Sequence, residues 1–357
     1  MRQHSNAFDL IRFVAASMVL WSHQLGLMGL PEAAPVPLLP STQLGGVGVL
    51  IFFAVSGYLN TLSVIRHHSP LAFLVSRVFR IYPALIACVI VTILIGACAA
   101  PDIRLYFDYQ LLSFFCKNVT LLNGVKFGVS HPVFLGSTAP NALNGSIWTL
   151  PYEVKMYILL AICLVTLRFG RAAVFFGAIC GVLAIGLLAP DTFWFNFSLL
   201  FVAGALVASI QQLKNLTTAI LTVALIAGLF AIVGRDFAAC IMALTATTIA
   251  LGCVPLPPWL RLPLDLSYAI YLYAFPVQQV STTLTKNFWT GLTFSATITF
   301  LLALLSVLFV EQPALRLKPR VQLWLEQKWT KAMAKSAYLG RMFSSIARRA
   351  SVHQPRI

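Results

Sequence analysis

Charge is scarce in this chain. Only 10% of its 357 residues are Asp, Glu, Lys or Arg, and only 10 residues are acidic. Soluble domains carry about 25% charged residues. With 59% hydrophobic residues and a mean hydropathy of +0.86, the sequence holds more apolar residues than a soluble core can absorb. A water-soluble domain is excluded. Paired cysteines are lacking too: Cys88, Cys98, Cys116, Cys163, Cys180, Cys240 and Cys253 form no C-x-x-C pair. That argues against a thiol-redox motif and a cysteine zinc site. Cys98 and Cys116 can share one side of a membrane, and a disulfide between them stays open. No P-loop and no G-x-S-x-G elbow is present, and no His/Cys cluster has metal spacing. No metal is therefore expected.

Long apolar runs fill the space instead. A membrane-spanning helix needs about 20 largely apolar residues. Ten such runs are expected, near 8–28, 45–65, 79–99, 147–167, 172–190, 193–211, 215–234, 236–255, 264–284 and 289–310. The expected fold is an all-α integral membrane bundle of about ten transmembrane helices. The first run does not read as a signal peptide, because Arg12 and His23 interrupt it and no clear A-x-A site follows. Lys and Arg favour the cytoplasmic side of a membrane. With both termini cytoplasmic, that side holds Arg2, Arg66, Arg77, Arg80, Arg168, Arg171, Lys214, Arg261 and the basic tail. The net charge of +15 is then a topology signal, and no nucleic-acid partner is expected.

Residues 1–313 read as one membrane domain and 314–357 as a basic cytoplasmic tail. In the tail, Trp324, Leu325 and Trp329 alternate with Lys and Arg. Such a segment forms an amphipathic helix on the anionic inner leaflet or stays disordered. The longest outer segment, about 100–146, is apolar enough in its first half to lie on the membrane or pack into the bundle.

The first span, "FDLIRFVAASMVLWSHQLGLM", carries Asp9, Arg12 and His23. At about 100° per residue, Arg12 and His23 lie within about 20° of one face, and Asp9 lies about 60° away. That face should be buried or line a path. An Asp9–Arg12 pair anchoring the helix end, with His23 at an interface, is the plainer alternative. Intramembrane ionisable groups are expensive in hydrocarbon and mark functional sites. "NGSIWTLPYEVKMY" opens the fourth span and places Glu153 at a depth matched to His23. A carboxylate there can support His23 as a general base. A Glu153 bonded to a neighbouring Tyr or to Lys155 is the alternative. "LVSRVFRIYP" sets Arg77 and Arg80 one turn apart at the level of Arg12. Guanidinium pairs suit phosphate oxygens, so the three arginines suggest an anion site for a phosphorylated cytosolic ligand. The positive-inside rule alone would also put arginines there. The glycines of "GGVGVLIFFAVSGYL" allow close helix packing.

These segments, with "DLSYAIYLYAFPVQ" and "FVEQPALRLK", together resemble the membrane-bound acyltransferase family 3. The similarity runs from the first span to about residue 320. Members are typically bacterial inner-membrane proteins that O-acetylate surface sugars. The resemblance implies a multi-pass protein of that membrane, with acetyl-CoA as donor substrate and no bound cofactor. It implies an acceptor hydroxyl on an extracytoplasmic sugar of lipopolysaccharide, capsule or exopolysaccharide, free or lipid-linked. His23 becomes the candidate catalytic histidine with Arg12 as its companion. Arg77 and Arg80 become the R-x-x-R motif tied to acyl-CoA, and Glu153 part of W-[ST]-L-x-x-E. Glu311 and Pro313 match the E-x-P that closes the last span. One departure stands out: many relatives carry a His where this chain has Ala274. No fused hydrolase-like domain follows, so the membrane domain should serve the acceptor itself. The competing class is a secondary transporter, or proton-coupled carrier, of a small anionic solute. No internal repeat of the kind such carriers show is evident.

Overall fold

A computed structural model describes residues 6–33, 43–66, 69–121, 124–166, 192–211 and 235–328. Within them the chain is helical, and its only bridges are two isolated ones, Asn6 with Pro255 and Gly128 with Ala142. The helices are α1 (Phe8–Leu27), α2 (Leu44–Arg66), α3 (Pro70–Ala99), α4 (Ile103–Tyr106), α5 (Tyr109–Thr120), α6 (Leu150–Thr166), α7 (Thr192–Gln211), α8 (Arg235–Cys253), α9 (Ser267–Leu284) and α10 (Phe288–Lys328). Four of them, α1, α2, α3 and α10, are long and apolar enough to cross a membrane. Helices occupy eight of the ten expected spans. The other two, 172–190 and 215–234, lie outside the described residues, as does the tail beyond Lys328.

Local chemistry sets the helix ends. Ser69 caps α3 by accepting from the Ala72 N–H, and Pro70 follows at the first helical position. Glu32 and Ser22 together cap α2: Glu32 accepts from the Leu44 N–H at 3.1 Å, and Ser22 accepts from the Gly45 N–H. A Cβ on Gly45 would sit 2.8 Å from Ser22 Cβ, so the glycine admits this cap. A Cβ on Gly48 would meet the Ala15 carbonyl at 2.6 Å, which explains the close α1–α2 contact. The first half of the outer segment packs into the bundle. Tyr106 covers Gly96 and donates to the Ile93 carbonyl at 2.9 Å. Cys98 and Cys116 are both free thiols.

The second half of that segment descends into the bundle. Lys286 donates to the Gly136 carbonyl at 2.8 Å, and Gln279 donates to the carbonyls of Ala139 and Ala142 at 2.9 and 2.7 Å. Asn144 donates to the Leu272 carbonyl at 3.0 Å, and the Thr149 and Tyr271 hydroxyls are 2.7 Å apart. Residues 136–149 therefore run down α9 from Thr282 to Tyr271, about 16 Å at the helical rise. Irregular backbone at membrane depth is tolerated only when buried in protein and satisfied there. α6 consequently starts deep in the bundle. Pro276 makes this possible. It has no N–H, so the Leu272 carbonyl one turn earlier lacks its helical donor. Asn144 and the Cys88 thiol fill that role.

One helix runs across the boundary expected at residue 313. α10 continues through Pro313 to Lys328. A π-helical turn at Val307–Glu311 lies just before the proline. The missing Pro313 N–H would have paired with the Phe309 carbonyl inside that turn, so the widened turn accommodates it.

Asn144→Ala should destabilise the protein by about 1–3 kcal/mol, the penalty for an unsatisfied buried carbonyl. In a Pro276→Ala background, which restores the helical donor, the loss should shrink. Unfolding in detergent across the four variants checks this. Equal losses in both backgrounds would contradict the account.

Candidate active site

The arginines expected to gather do gather. A cavity of about 570 Å³ opens among α1, α2, α3, α6 and α9. Its wall includes Asp9, Arg12, Arg77, Arg80 and Glu153. The helical period explains the convergence. Asp9 and Arg12 are one turn apart on α1, Arg77 and Arg80 one turn apart on α3, and Ser56 and Asn60 one turn apart on α2.

The three guanidiniums are not equivalent. Arg12 pairs with Asp9 and lies 3.4 Å from Asp265. Arg80 pairs with Asp265 and lies 3.7 Å from Glu311. Asp265 precedes α9 and bridges the two arginines. Both guanidiniums lie within 4 Å of this one carboxylate. Ser267 adds a hydrogen bond to the same carboxylate. Arg77 is different. Its partners are neutral: it donates to Asn60 Oδ1 and, at 3.3 Å, to Ser76 Oγ. The rings of Phe73 and Tyr157 lie 5.4 and 5.7 Å from its guanidinium carbon. Its Nε is buried with no acceptor. Among the described residues no carboxylate pairs with it within 4 Å.

Asn60 is suited to this task. Its Nδ2 donates to the Ser56 carbonyl and hydroxyl at 2.7 and 2.9 Å, which aims Oδ1 at Arg77. Ser56 also lies 3.2 Å from the Tyr157 hydroxyl and 3.4 Å from Glu153. Tyr157 donates to Glu153 as well. The bonding alternative raised for Glu153, a neighbouring tyrosine, is the one formed. No hydrogen bond or ion pair joins Glu153 to His23. The physical reason is the descent of residues 136–149, which carries the start of α6 below the depth assumed for it.

His23 stands apart from the cavity wall. It lies 11 residues beyond Arg12 on α1, about 16 Å along the axis. Its ring packs edge-on to Phe275, centroids 5.2 Å apart, and Phe275 is one turn beyond the cavity residue Tyr271 on α9. His23 Nδ1 is buried and has no partner. A Cβ on Gly145 would strike the Phe275 ring, so the descending segment also borders this position. Ala274 is fully buried on α9.

Residues 5–311 match the acyltransferase domain family Acyl_transf_3. The chain belongs to this acyltransferase family. An O-acetyl transferase of Shigella phage Sf6 is 31% identical over 338 residues, covering 89% of this chain and 99% of the relative. Nodulation protein 10 of Rhizobium leguminosarum bv. viciae is 29% identical over 354 residues, covering 88% and 94%. No solved structure matches. The protein is thus an acyltransferase of the membrane, and its long apolar helices fit that class.

Sequence reasoning missed Asp265 and Asn60 as site residues. Asp265 sits in a loop, 185 residues from Arg80. Its signal was available in retrospect: a lone carboxylate directly before a polar-faced helix in an acid-poor chain. Asn60 had a weaker one, an amide inside an otherwise apolar span.

Asp265→Ala should destabilise the protein by about 3 kcal/mol, since it leaves two half-buried guanidiniums short of their shared partner. Asp9→Ala should cost less, because Asp9 pairs with Arg12 alone. Thermal unfolding of the two variants compares them directly.

Proposed function

We propose that this acyltransferase moves an acetyl group from acetyl-CoA to a hydroxyl of an extracytoplasmic sugar in the bacterial inner membrane. The Phe8 end of the bundle faces the cytoplasm and the Leu27 end faces outward. The observation that carries the reading is the cavity at the Phe8 end with an arginine, Arg77, that no carboxylate pairs with within 4 Å among the described residues. Such a group suits the phosphates of a nucleotide-bearing donor. Family membership and the printed name of the phage relative, an O-acetyl transferase, support acetyl transfer to oxygen. They favour this reading over the transporter.

In this reading Arg77 holds the donor phosphates, and Arg12 and Arg80 shape the mouth through their carboxylates. The pantetheine arm extends along α1 and spans the stretch from Arg12 to His23. His23 accepts the proton of the sugar hydroxyl as its oxygen attacks the thioester carbon. The C–S bond breaks, and the proton passes on to the departing CoA thiolate. An acetyl-His23 formed before sugar attack uses the same residue as nucleophile. Glu153 acts from the cavity wall through Tyr157 and Ser56.

His23→Ala should lower transfer from labelled acetyl-CoA by about 10²–10⁴, the usual worth of a general base, with normal membrane insertion. Arg77→Ala should raise KM for acetyl-CoA about tenfold or more with a smaller change in kcat. Retention of more than half the activity in His23→Ala would remove it from the chemistry. Glu153→Gln should leave the pH profile of kcat unmoved, because Glu153 does not contact His23. A displaced profile would reinstate their coupling.

A further inference from the structure

The helix that continues past Pro313 brings a second cation to Arg77. Lys318 Nζ donates to Ser76 Oγ at 3.0 Å, and Arg77 donates to the same oxygen at 3.3 Å. One hydroxyl thus ties two positive side chains together, and among the described residues no carboxylate pairs with either within 4 Å. The placement is fixed by three rungs between α10 and α3. Glu311 faces Arg80, Lys318 faces Ser76, and Gln322 donates to the Ala72 carbonyl at 2.8 Å. The spacings are seven and four residues on α10 and four and four on α3, so each set lies on one helical face. Lys318 lies outside the matched family region, which ends at residue 311.

Like charges held close repel unless something neutralises them. Side by side on a neutral oxygen, with the buried Arg77 Nε also lacking an acceptor, they leave unmet demand for an anion. We propose that Lys318 and Arg77, joined through Ser76, form a phosphate-binding subsite at the Phe8 end of the bundle. Arg77 supplies the planar fork and Lys318 the point charge. The ligand is a phosphate group. Its two sources are the acyl-CoA donor and an anionic lipid headgroup, and the donor source rests on the function proposed above.

The test uses the full-length protein in nanodiscs of phosphatidylcholine alone or with added phosphatidylglycerol. Lys318→Met is compared with Lys318→Arg and with Arg320→Met, a like charge change at an exposed position two residues along. For a donor subsite, Lys318→Met raises KM for acetyl-CoA about tenfold in phosphatidylcholine, with kcat retained. Lys318→Arg restores it, and Arg320→Met has little effect. For a lipid subsite, KM holds and Lys318→Met instead abolishes the response to phosphatidylglycerol. Should the wild type fail to turn over acetyl-CoA, the function above falls but the subsite is still tested. Binding of inorganic pyrophosphate by calorimetry should then weaken about tenfold in Lys318→Met. If Lys318→Met matches Arg320→Met in donor use, lipid response and pyrophosphate binding, the subsite does not exist.

Discussion

The Leu272 carbonyl organises much of this structure. Pro276 deprives it of a helical donor, and lipid supplies none. Asn144 meets the need from a non-helical segment, which must then lie inside the bundle. That segment exposes its own carbonyls, and Gln279 answers two of them. The outcome is a column of polar contacts along α9 that lowers the start of α6. Glu153 and Tyr157 therefore face the arginine cavity. A single missing N–H thus propagates through satisfied hydrogen bonds to the position of a site residue more than a hundred residues away.

Within the cavity, charge is distributed with equal consequence. Asp265 holds Arg12 and Arg80, and Asp9 and Glu311 add to the neutralisation. These pairs make it tolerable to keep guanidiniums at membrane depth. Arg77 is handled by a neutral amide, a neutral hydroxyl and two aromatic faces. An Asp in place of Asn60 would match its shape while cancelling the charge. The amide keeps the guanidinium oriented and its charge available.

Helical periodicity made part of this legible in the sequence. The one-turn spacing of Arg77 and Arg80, and of Asp9 and Arg12, predicted shared faces, and the structure brings all four to one cavity. The alternative of an Asp9–Arg12 pair also proved real. Periodicity carries no information about residues 136–149, which follow no helical repeat, so the depth assigned to Glu153 failed there. The resemblance put the close of the last span at the E-x-P of Glu311 and Pro313. The π-helical turn before it was not visible in the sequence, and the contact of Lys318 with α3 was hidden with it. Long-range pairings such as Arg80 with Asp265 leave no local pattern at all.

The central claim is that the donor's phosphates lie on Arg77 while its thioester reaches toward His23. A structure of the full-length protein with CoA bound, in a lipid nanodisc, tests this most directly. The account predicts phosphate oxygens within hydrogen-bond distance of the Arg77 guanidinium and the thiol end near His23 and Phe275. CoA bound outside the cavity, or inside it with the thiol turned toward the Phe8 end, would contradict the account.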